Sequence, residues 1–337
     1  MLNKIIKEIE NIKKSKKFTN KKIGIIISIT TNPNTKEFEI FPLRDFADYV
    51  FVPISIKSDK NGILLAKEID GKIDSLVFDT ENKITSCQHL FDKINQKCKK
   101  TNVFPVKGND FTSDSAYALI VTNFHSIKNK KICIIGAGNI GSKVALKLIE
   151  TGTDVFIMNS NKASSVQTSK AINILKPSEC SNNAIPISLD NMIKMDCIGG
   201  FTRGIPVINK KIVRYLKKDG LIIDGGTDNI SQDGIEEAKK RNLKIIKLDV
   251  RYGFESNFRL MRNTKNLKEE VSGRKKINGI NMVAGGIIGN KGDIIVDNIT
   301  FPKKILGIAD GLGRFEKNIE DYSEIIKKAE KTIKKKN

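Results

Sequence analysis

Tryptophan is absent, and 337 residues carry only two histidines, nine arginines and five cysteines. The cysteines (Cys87, Cys98, Cys133, Cys180 and Cys197) are odd in number, scattered, and never spaced C-x-x-C. That pattern excludes a disulfide framework and shows no zinc site. Cys133 and Cys197 lie in or beside apolar strands and read as core thiols. Neither His89 nor His125 sits in a metal-ligand motif, and His125 reads as a linker or surface residue; no metal is expected. No apolar run approaches the length of a membrane span, so no membrane partner is expected. The opening MLNKIIKEIENIKKSKKFTNKK also lacks the uninterrupted apolar stretch of a signal peptide. With Ile5, Ile6, Ile9 and Ile12 on one face, it reads as a short basic amphipathic helix, and a cytoplasmic protein is expected.

What is abundant is lysine. The formal net charge is +21, and 50 of the 59 basic residues are lysines. Such a balance raises the question of a nucleic-acid partner. Specific readers of nucleic acid favour arginine forks and interleaved aromatics. Here arginine is scarce and aromatics are 6%, so lysine reads as a solvated surface and the composition argues against that partner. The same charge would attract a small anionic substrate or cofactor. A hydrophobic content of 39% is ordinary for a globular chain, and the length allows two domains with a sizeable core.

The most informative stretch is ICIIGAGNIGS, residues 132–142. A β-branched run, Ile132 to Ile135, reads as a buried strand. Gly136, Gly138 and Gly141 then spell G-x-G-x-x-G, with Asn139 and Ile140 between the last two. Val144, Ala145, Leu148 and Ile149 recur at helical spacing, Gly152 marks the helix stop, and Asp154 to Met158 form a second apolar strand. Strand, glycine turn, helix and strand in this order predict a dinucleotide-binding βαβ unit. Gly136 permits the tight turn, Gly138 lets a pyrophosphate approach the backbone, and Gly141 lets helix and strand pack closely. The helix N-terminus supplies N–H donors and a partial positive charge.

The second strand of NAD-binding units usually ends in a carboxylate that accepts from the ribose 2′-hydroxyl. Here it ends Met158-Asn159-Ser160-Asn161-Lys162, with no carboxylate. Asn159, Ser160 and Lys162 suit a 2′-phosphate, so NADP is the expected cofactor and NAD the alternative.

Strands alternate with helices on both sides of this unit, which predicts an α/β fold: an N-terminal α/β domain, then a doubly wound Rossmann domain, then a C-terminal extension. The expected boundaries are 1–120 for the substrate or catalytic domain (1–20 being the basic helix), 121–255 for the Rossmann domain, and 256–337 for the extension. N-terminal strands are expected at Ile23–Ile29, Tyr49–Ile56, Ser75–Phe78 and Val103–Pro105. Helices are expected at Gly62–Ile69, Cys87–Lys99 and Asp114–Phe124. In the extension, residues 256–280 read as basic and helical in part. The Gly-Asn-Lys-Gly stretch inside Met282–Ile295 reads as a hairpin turn, and residues 315–337 as a closing amphipathic helix.

This order resembles the shikimate dehydrogenase and methylene-tetrahydrofolate dehydrogenase superfamily. The resemblance spans residues 21 to about 255 and is carried by three motifs: Gly136–Gly141, Asn159-Ser160-Asn161-Lys162, and Thr112-Ser113-Asp114. It implies an interdomain cleft in which a lysine, paired with an aspartate, works as acid and base while hydride moves to or from nicotinamide. Asp114 is then the candidate orienter, and Lys57 (in Pro53-Ile54-Ser55-Ile56-Lys57) or Lys107 (in Pro105-Val106-Lys107-Gly108) the candidate acid and base. Such a lysine needs a lowered pKa. Phe201, Thr202 and Gly225 would lie near the nicotinamide. The substrate motif of shikimate dehydrogenases themselves is not present, which points to another hydroxy or amino compound. Arg251, Tyr252, Arg259 and Arg262 follow the sixth Rossmann strand, where a guanidinium would bind carboxylate or phosphate or anchor the tail.

The leading expectation is therefore an NAD(P)-dependent dehydrogenase or reductase acting on a small anionic compound. A non-catalytic nucleotide sensor and, behind it, a basic nucleic-acid-associated protein are the alternatives. A homodimer is compatible with the sequence.

Overall fold

The computed structural model describes residues 2–30, 36–81, 83, 89–226 and 228–334. Cys87, and with it the start of one expected helix, lies outside the described residues. The chain divides into two compact units, Met1–Phe258 and Arg259–Asn337.

The first unit holds two sheets. In the N-terminal one, β1 (Lys22–Ile29), β4 (Tyr49–Ile56), β5 (Ser75–Asp79) and β6 (Asn102–Val106) run parallel, while two short strands, β2 (Phe38–Ile40) and β3 (Arg44–Asp45), pair antiparallel to β4. The order is β2-β4-β1-β5-β6. Every residue of β4 and β5 is buried, as expected of strands covered on both faces. Helices α1 (Leu2–Lys14), α2 (Asp59–Ile69) and α3 (Leu90–Lys97) cover one face. In α1, Ile5, Ile9 and Ile12 enter this core and the lysines stay outside, so the basic amphipathic helix is a piece of the fold. Strands β2 and β3 escape periodicity because two or three residues cannot display a period.

The second sheet is fully parallel: β7 (Lys131–Ile135), β8 (Asp154–Met158), β9 (Ala184–Pro186), β10 (Met195–Gly200), β11 (Leu216–Asp224) and β12 (Lys244–Lys247). Its order is β12-β11-β10-β7-β8-β9, the doubly wound arrangement in which the sense of strand addition reverses between β7 and β10. Helices α5 (Asn139–Glu150) and α6 (Lys162–Leu175) lie on one face, and α7 (Lys210–Val213) and α8 (Gln232–Lys240) on the other. Cys133 and Cys197 are fully buried in this sheet. Burial pushes the Cys133 thiol up to about 12 and that of Cys197 higher still, so both are inert core thiols.

Two helices cross between the sheets. Helix α4 (Gly108–Thr122) leaves the end of β6 and buries Ala116 and Ile120 in the second core. Helix α9 (Arg251–Asn266) leaves the end of β12 and inserts Phe254 and Phe258 among aromatics of the first sheet. Phe254 lies 5.2 Å from Phe51 and Phe258 5.1 Å, both edge-on, and Phe258 also meets Tyr49 and Phe104. Edge-to-face pairs add about 0.5–1.5 kcal/mol each to the burial term. Helix α4 begins six residues before Asp114, where that helix was expected to start, so the Thr112-Ser113-Asp114 stretch lies inside it.

The second unit carries β13 (Gly273–Ile277), β14 (Ile280–Ala284), β15 (Ile294–Val296) and β16 (Ile305–Ile308), with α10 (Ser323–Lys334) packing Ala329 and Ile333 onto the sheet. The hairpin here is β13–β14, closed by Asn278-Gly279 with both residues at positive φ. That dipeptide is a strong turn signal. The Gly-Asn-Lys-Gly stretch is not a hairpin turn: β14 and β15, on either side of it, run parallel and need a longer connection.

Phe254→Ala should lower stability by about 3–5 kcal/mol, the usual loss for a buried aromatic. Urea unfolding would read this as a lower midpoint, and an unchanged midpoint would show that α9 does not hold the first sheet.

Candidate functional site

Strands β7 and β10 are neighbours whose connections leave in opposite directions, so a crevice opens at their carboxyl ends. The turn after β7 forms one lip. Gly136 has φ +83°, and a Cβ there would come within 2.7 Å of the Thr202 methyl, so glycine is required twice over. A Cβ at Gly138 would meet nothing within 4 Å, because this backbone faces open space. Helix α5 begins at the next residue, and its first turn, Asn139 to Gly141, brings N–H groups and the positive end of a helix dipole. Open backbone beside a helix N-terminus fits the pyrophosphate of a dinucleotide.

Asn159, at the end of β8, is a clamp. Its Oδ1 accepts from the Ala137 N–H at 2.8 Å, and its amide donates to the Ser164 and Thr168 hydroxyls, both at 3.1 Å. It ties the glycine turn to the start of α6 in a position where a carboxylate would otherwise serve a ribose. Ser160 and Lys162 beside it are exposed.

The crevice widens into a cleft of about 860 Å³ bounded by both sheets of the first unit. Gly138, Asn139, Ile140, Phe201, Thr202 and Gly225 line it from the Rossmann side. Phe201 is buried, its ring filling the space a Cβ would need at Gly225, and Asn229 fixes Thr202 by accepting its N–H at 2.9 Å. Of the remaining residues expected at the cofactor, Gly136 and Gly141 shape the turn from behind, while Asn159, Ser160 and Lys162 lie beyond the cleft lining.

The opposite wall comes from the ends of β5 and β6. The Lys83 ammonium donates to Asp79 Oδ2 at 2.5 Å and reaches Glu81 Oε2 at 3.2 Å. The Asp79 and Glu81 side chains are only 4% and 10% exposed, and that of Lys83 21%, so this charged triad is largely withdrawn from solvent. It is also anchored: Asp79 Oδ1 accepts from the Glu81 N–H at 3.1 Å, and Glu81 Oε2 from the Asn109 N–H at 2.8 Å in the first turn of α4. At Gly108 a Cβ would come within 2.9 Å of Asp79 Oδ2 and 3.0 Å of Lys83 Nζ, so that glycine leaves room for the pair.

Cations dominate the rest of the cleft: Lys107, Lys143, Lys247 and Arg203, against Asp224. Asp110 receives both Lys107, at 2.9 Å, and Lys143, and so links the starts of α4 and α5. Burial works to raise the Asp110 pKa, but the hydrogen bonds from Lys143 and Lys107 outweigh it and hold the carboxyl below its ordinary range. Lys107 is pushed up by the same bond, opposite to the lowered value expected of an acid–base lysine, because its side chain is exposed and paired.

The structure does not bring Asp114 together with Lys57 or Lys107. Asp114 pairs with Lys147 at 3.0 Å and its side chain is 46% exposed, because a position inside α4 faces α5 and not the cleft. Lys57 follows β4, donates its backbone N–H to the Glu37 carbonyl at 3.1 Å, and is not among the cleft-lining residues. Arg251 is taken by Asp249, Tyr252 is exposed, and Arg259 and Arg262 have partners of their own. Sequence reasoning missed Asp79, Glu81 and Lys83. The available signal was position: two carboxylates and a lysine within five residues at the carboxyl end of a buried strand, where α/β sheets place their ligands. Among the described residues, no group of three or more His, Cys, Asp or Glu side chains could hold a metal, and no helix is long and apolar enough to cross a membrane.

Residues 131–253 match the family model of the NAD binding domain of 6-phosphogluconate dehydrogenase. These residues form an NAD(P)-binding Rossmann domain. The match supports an NAD(P)-dependent oxidoreductase at a general level and specifies no substrate. No curated protein matches the chain. Similar solved structures include a shikimate dehydrogenase in complex with NADP+ (16% identity, 68% of this chain and 85% of that one, TM-score 0.39). L-tryptophan dehydrogenase from Nostoc punctiforme is similar at 13% identity, 72% and 74% coverage and TM-score 0.43. D-mandelate dehydrogenase from Rhodotorula graminis is similar at 13% identity, 73% and 94% coverage and TM-score 0.35.

Because the folded-state pKa of Asp110 is depressed, its contribution to stability is complete above the unfolded carboxyl value, roughly 4, and is lost as pH falls through the folded one. Asp110→Asn should therefore narrow its stability gap from the native chain as pH is lowered through that range. Urea midpoints of both proteins across the acid limb test this, and a gap independent of pH would remove the assigned ion pairs.

Proposed function

We propose that this protein is an NAD(P)-dependent oxidoreductase that moves hydride between nicotinamide and a small anionic hydroxy or amino compound held in the cleft. The observation that carries the reading is the opening of the dinucleotide turn and of Lys83 and Glu81 onto one cleft, with Asp79 holding Lys83 from behind. When bound, the nicotinamide supplies or takes the hydride. The chain does the rest. The Gly136–Gly141 turn and the α5 N-terminus grip the pyrophosphate. Phe201, Thr202 and Gly225 form the floor on the nicotinamide side. Lys83 donates to the substrate's oxygen or nitrogen and passes the proton, taking the role expected of Lys57 or Lys107, while Asp79 takes that of Asp114. General acid–base help of this kind is worth about 10²–10⁴ in rate. Lys107, Lys143, Lys247 and Arg203 draw in the anion.

NADP is the preferred cofactor in this reading. Asn159 is committed to its clamp, no carboxylate stands at the end of β8 to repel a 2′-phosphate, and Lys162 is exposed beside it. Titration of the purified protein with NADPH and NADH, followed by nucleotide fluorescence, tests the whole proposal. Saturable binding is expected, tighter for NADPH. Gly138→Val should weaken both by about tenfold or more, since a branched side chain would occupy the open face of the turn. Lys162→Ala should weaken NADPH by roughly fivefold and leave NADH unchanged, as loss of one charge-assisted contact predicts. If neither nucleotide binds, the redox reading fails. Lys83→Met should keep the NADPH affinity while abolishing turnover in a panel of 2-hydroxy and 2-amino acids. Turnover that survives in Lys83→Met would remove the lysine from the chemistry.

A further inference from the structure

A smaller pocket of about 200 Å³ shares Lys83, Asn109 and Thr112 with the main cleft, and so continues it behind the triad. Its inner wall is apolar, with Ile27, Val106 and Phe111. One guanidinium enters it, that of Arg44 on the short strand β3. The guanidinium lies over the Phe254 ring, 5.6 Å from its centroid, within cation–π range.

Among the described residues, Arg44 makes no side-chain hydrogen bond and no ion pair. The carboxylate whose charge acts on Arg44 is already used. Asp249 influences Arg44 through space, but it is engaged by Arg251, whose Nε donates to both oxygens at 3.0 and 2.7 Å and whose Nη2 lies 2.5 Å from Oδ2. Burial and the Arg251 charge both act against the Arg44 charge, with Asp249 compensating in part, and its pKa sits below the ordinary arginine value. A half-buried guanidinium without a partner is costly, and five N–H donors in a planar fork match a carboxylate. Every other charged group in this pocket, Asp79 and Lys83, is already paired.

We propose that Arg44 is the anchor for a carboxylate of the substrate, and that the substrate is a small hydroxy or amino acid whose carboxylate sits on Arg44 while its reacting carbon faces Lys83. This rests on the reading of the cleft as the site of hydride transfer. It adds the orientation of the substrate, with its carboxylate end in the smaller pocket and the rest free to extend into the cleft. A guanidinium fork on one end and an ammonium donor on the other would hold the substrate by two points, which is what orientation for transfer needs.

The probes are malate and malonate, with malonamide as the uncharged control and inorganic phosphate as the non-planar anion. Calorimetric titration of the full chain saturated with NADPH should show binding of malate or malonate and none of malonamide. Arg44→Gln should weaken that binding by about tenfold or more, Arg44→Lys by less because it keeps charge without the fork, and both should leave NADPH affinity unchanged. A second measurement needs no variant. Phenylglyoxal modification of native protein, mapped by mass spectrometry, should label Arg44, and malate should slow that labelling. The proposal is overturned if no carboxylate probe binds the native chain, if Arg44→Gln binds malate as well as the native chain does, or if phosphate alone protects Arg44. Failure of the native protein to bind NADPH would overturn the oxidoreductase reading instead. The labelling of Arg44 without nucleotide would still decide whether the carboxylate anchor stands.

Discussion

The packing of Phe254 and Phe258 against Phe51 sets where the cleft can be. Helix α9 leaves the last strand of the Rossmann sheet and returns these two rings to the first sheet, while α4 makes the opposite crossing. Two apolar crossings bring the carboxyl ends of β5 and β6 to bound the same cleft as those of β7, β10 and β11. Burying each ring contributes about 1.5–3 kcal/mol. The glycine turn and the lysine triad lie far apart in sequence and meet only because of this packing.

The charges sort into those with partners and those without. Lys83 is held by two carboxylates, Lys107 and Lys143 by Asp110, Lys147 by Asp114, and Arg251 by Asp249. In a chain with a net charge of +21, most cations meet water at little cost. A cation matters where it is withdrawn from water. By that criterion Lys83 and Arg44 stand out. Lys107, Arg251 and Arg259 are exposed and do not. The excess lysine gives a general attraction for anions and does not choose among them.

The Rossmann half was legible because its signals are local. A buried strand, a turn that only glycine can make and an amphipathic helix follow one another within thirty residues, and each is dictated by sterics and period. The N-terminal half was legible in its strands and less so in its site. Tyr49–Ile56 is the fourth strand residue for residue, and the first, fifth and sixth differ by one or two residues at their ends. The start of α4 was placed too late because Gly108, Asn109 and Asp110 read as a loop by composition. They are helical because Asp79 and Glu81 receive the first N–H groups of that helix, a long-range satisfaction no local pattern displays. That displacement moved Asp114 out of the cleft. In the second unit, the Asn-Gly signal at 278–279 was overlooked for a glycine-rich stretch that joins parallel strands.

The sequence alone determined the α/β class, the dinucleotide turn and its position, the lack of a carboxylate at the end of β8, and the fate of the buried cysteines. All of these depend on neighbours in the chain and on backbone geometry that a residue's own chemistry sets. Only the tertiary structure decided which cleft lysine is withdrawn from solvent between two carboxylates, and that one arginine from a two-residue strand makes no ion pair among the described residues. Pairing and desolvation depend on which side chains the crossings of α4 and α9 bring together, and fifty chemically identical lysines carry no mark of that in their order.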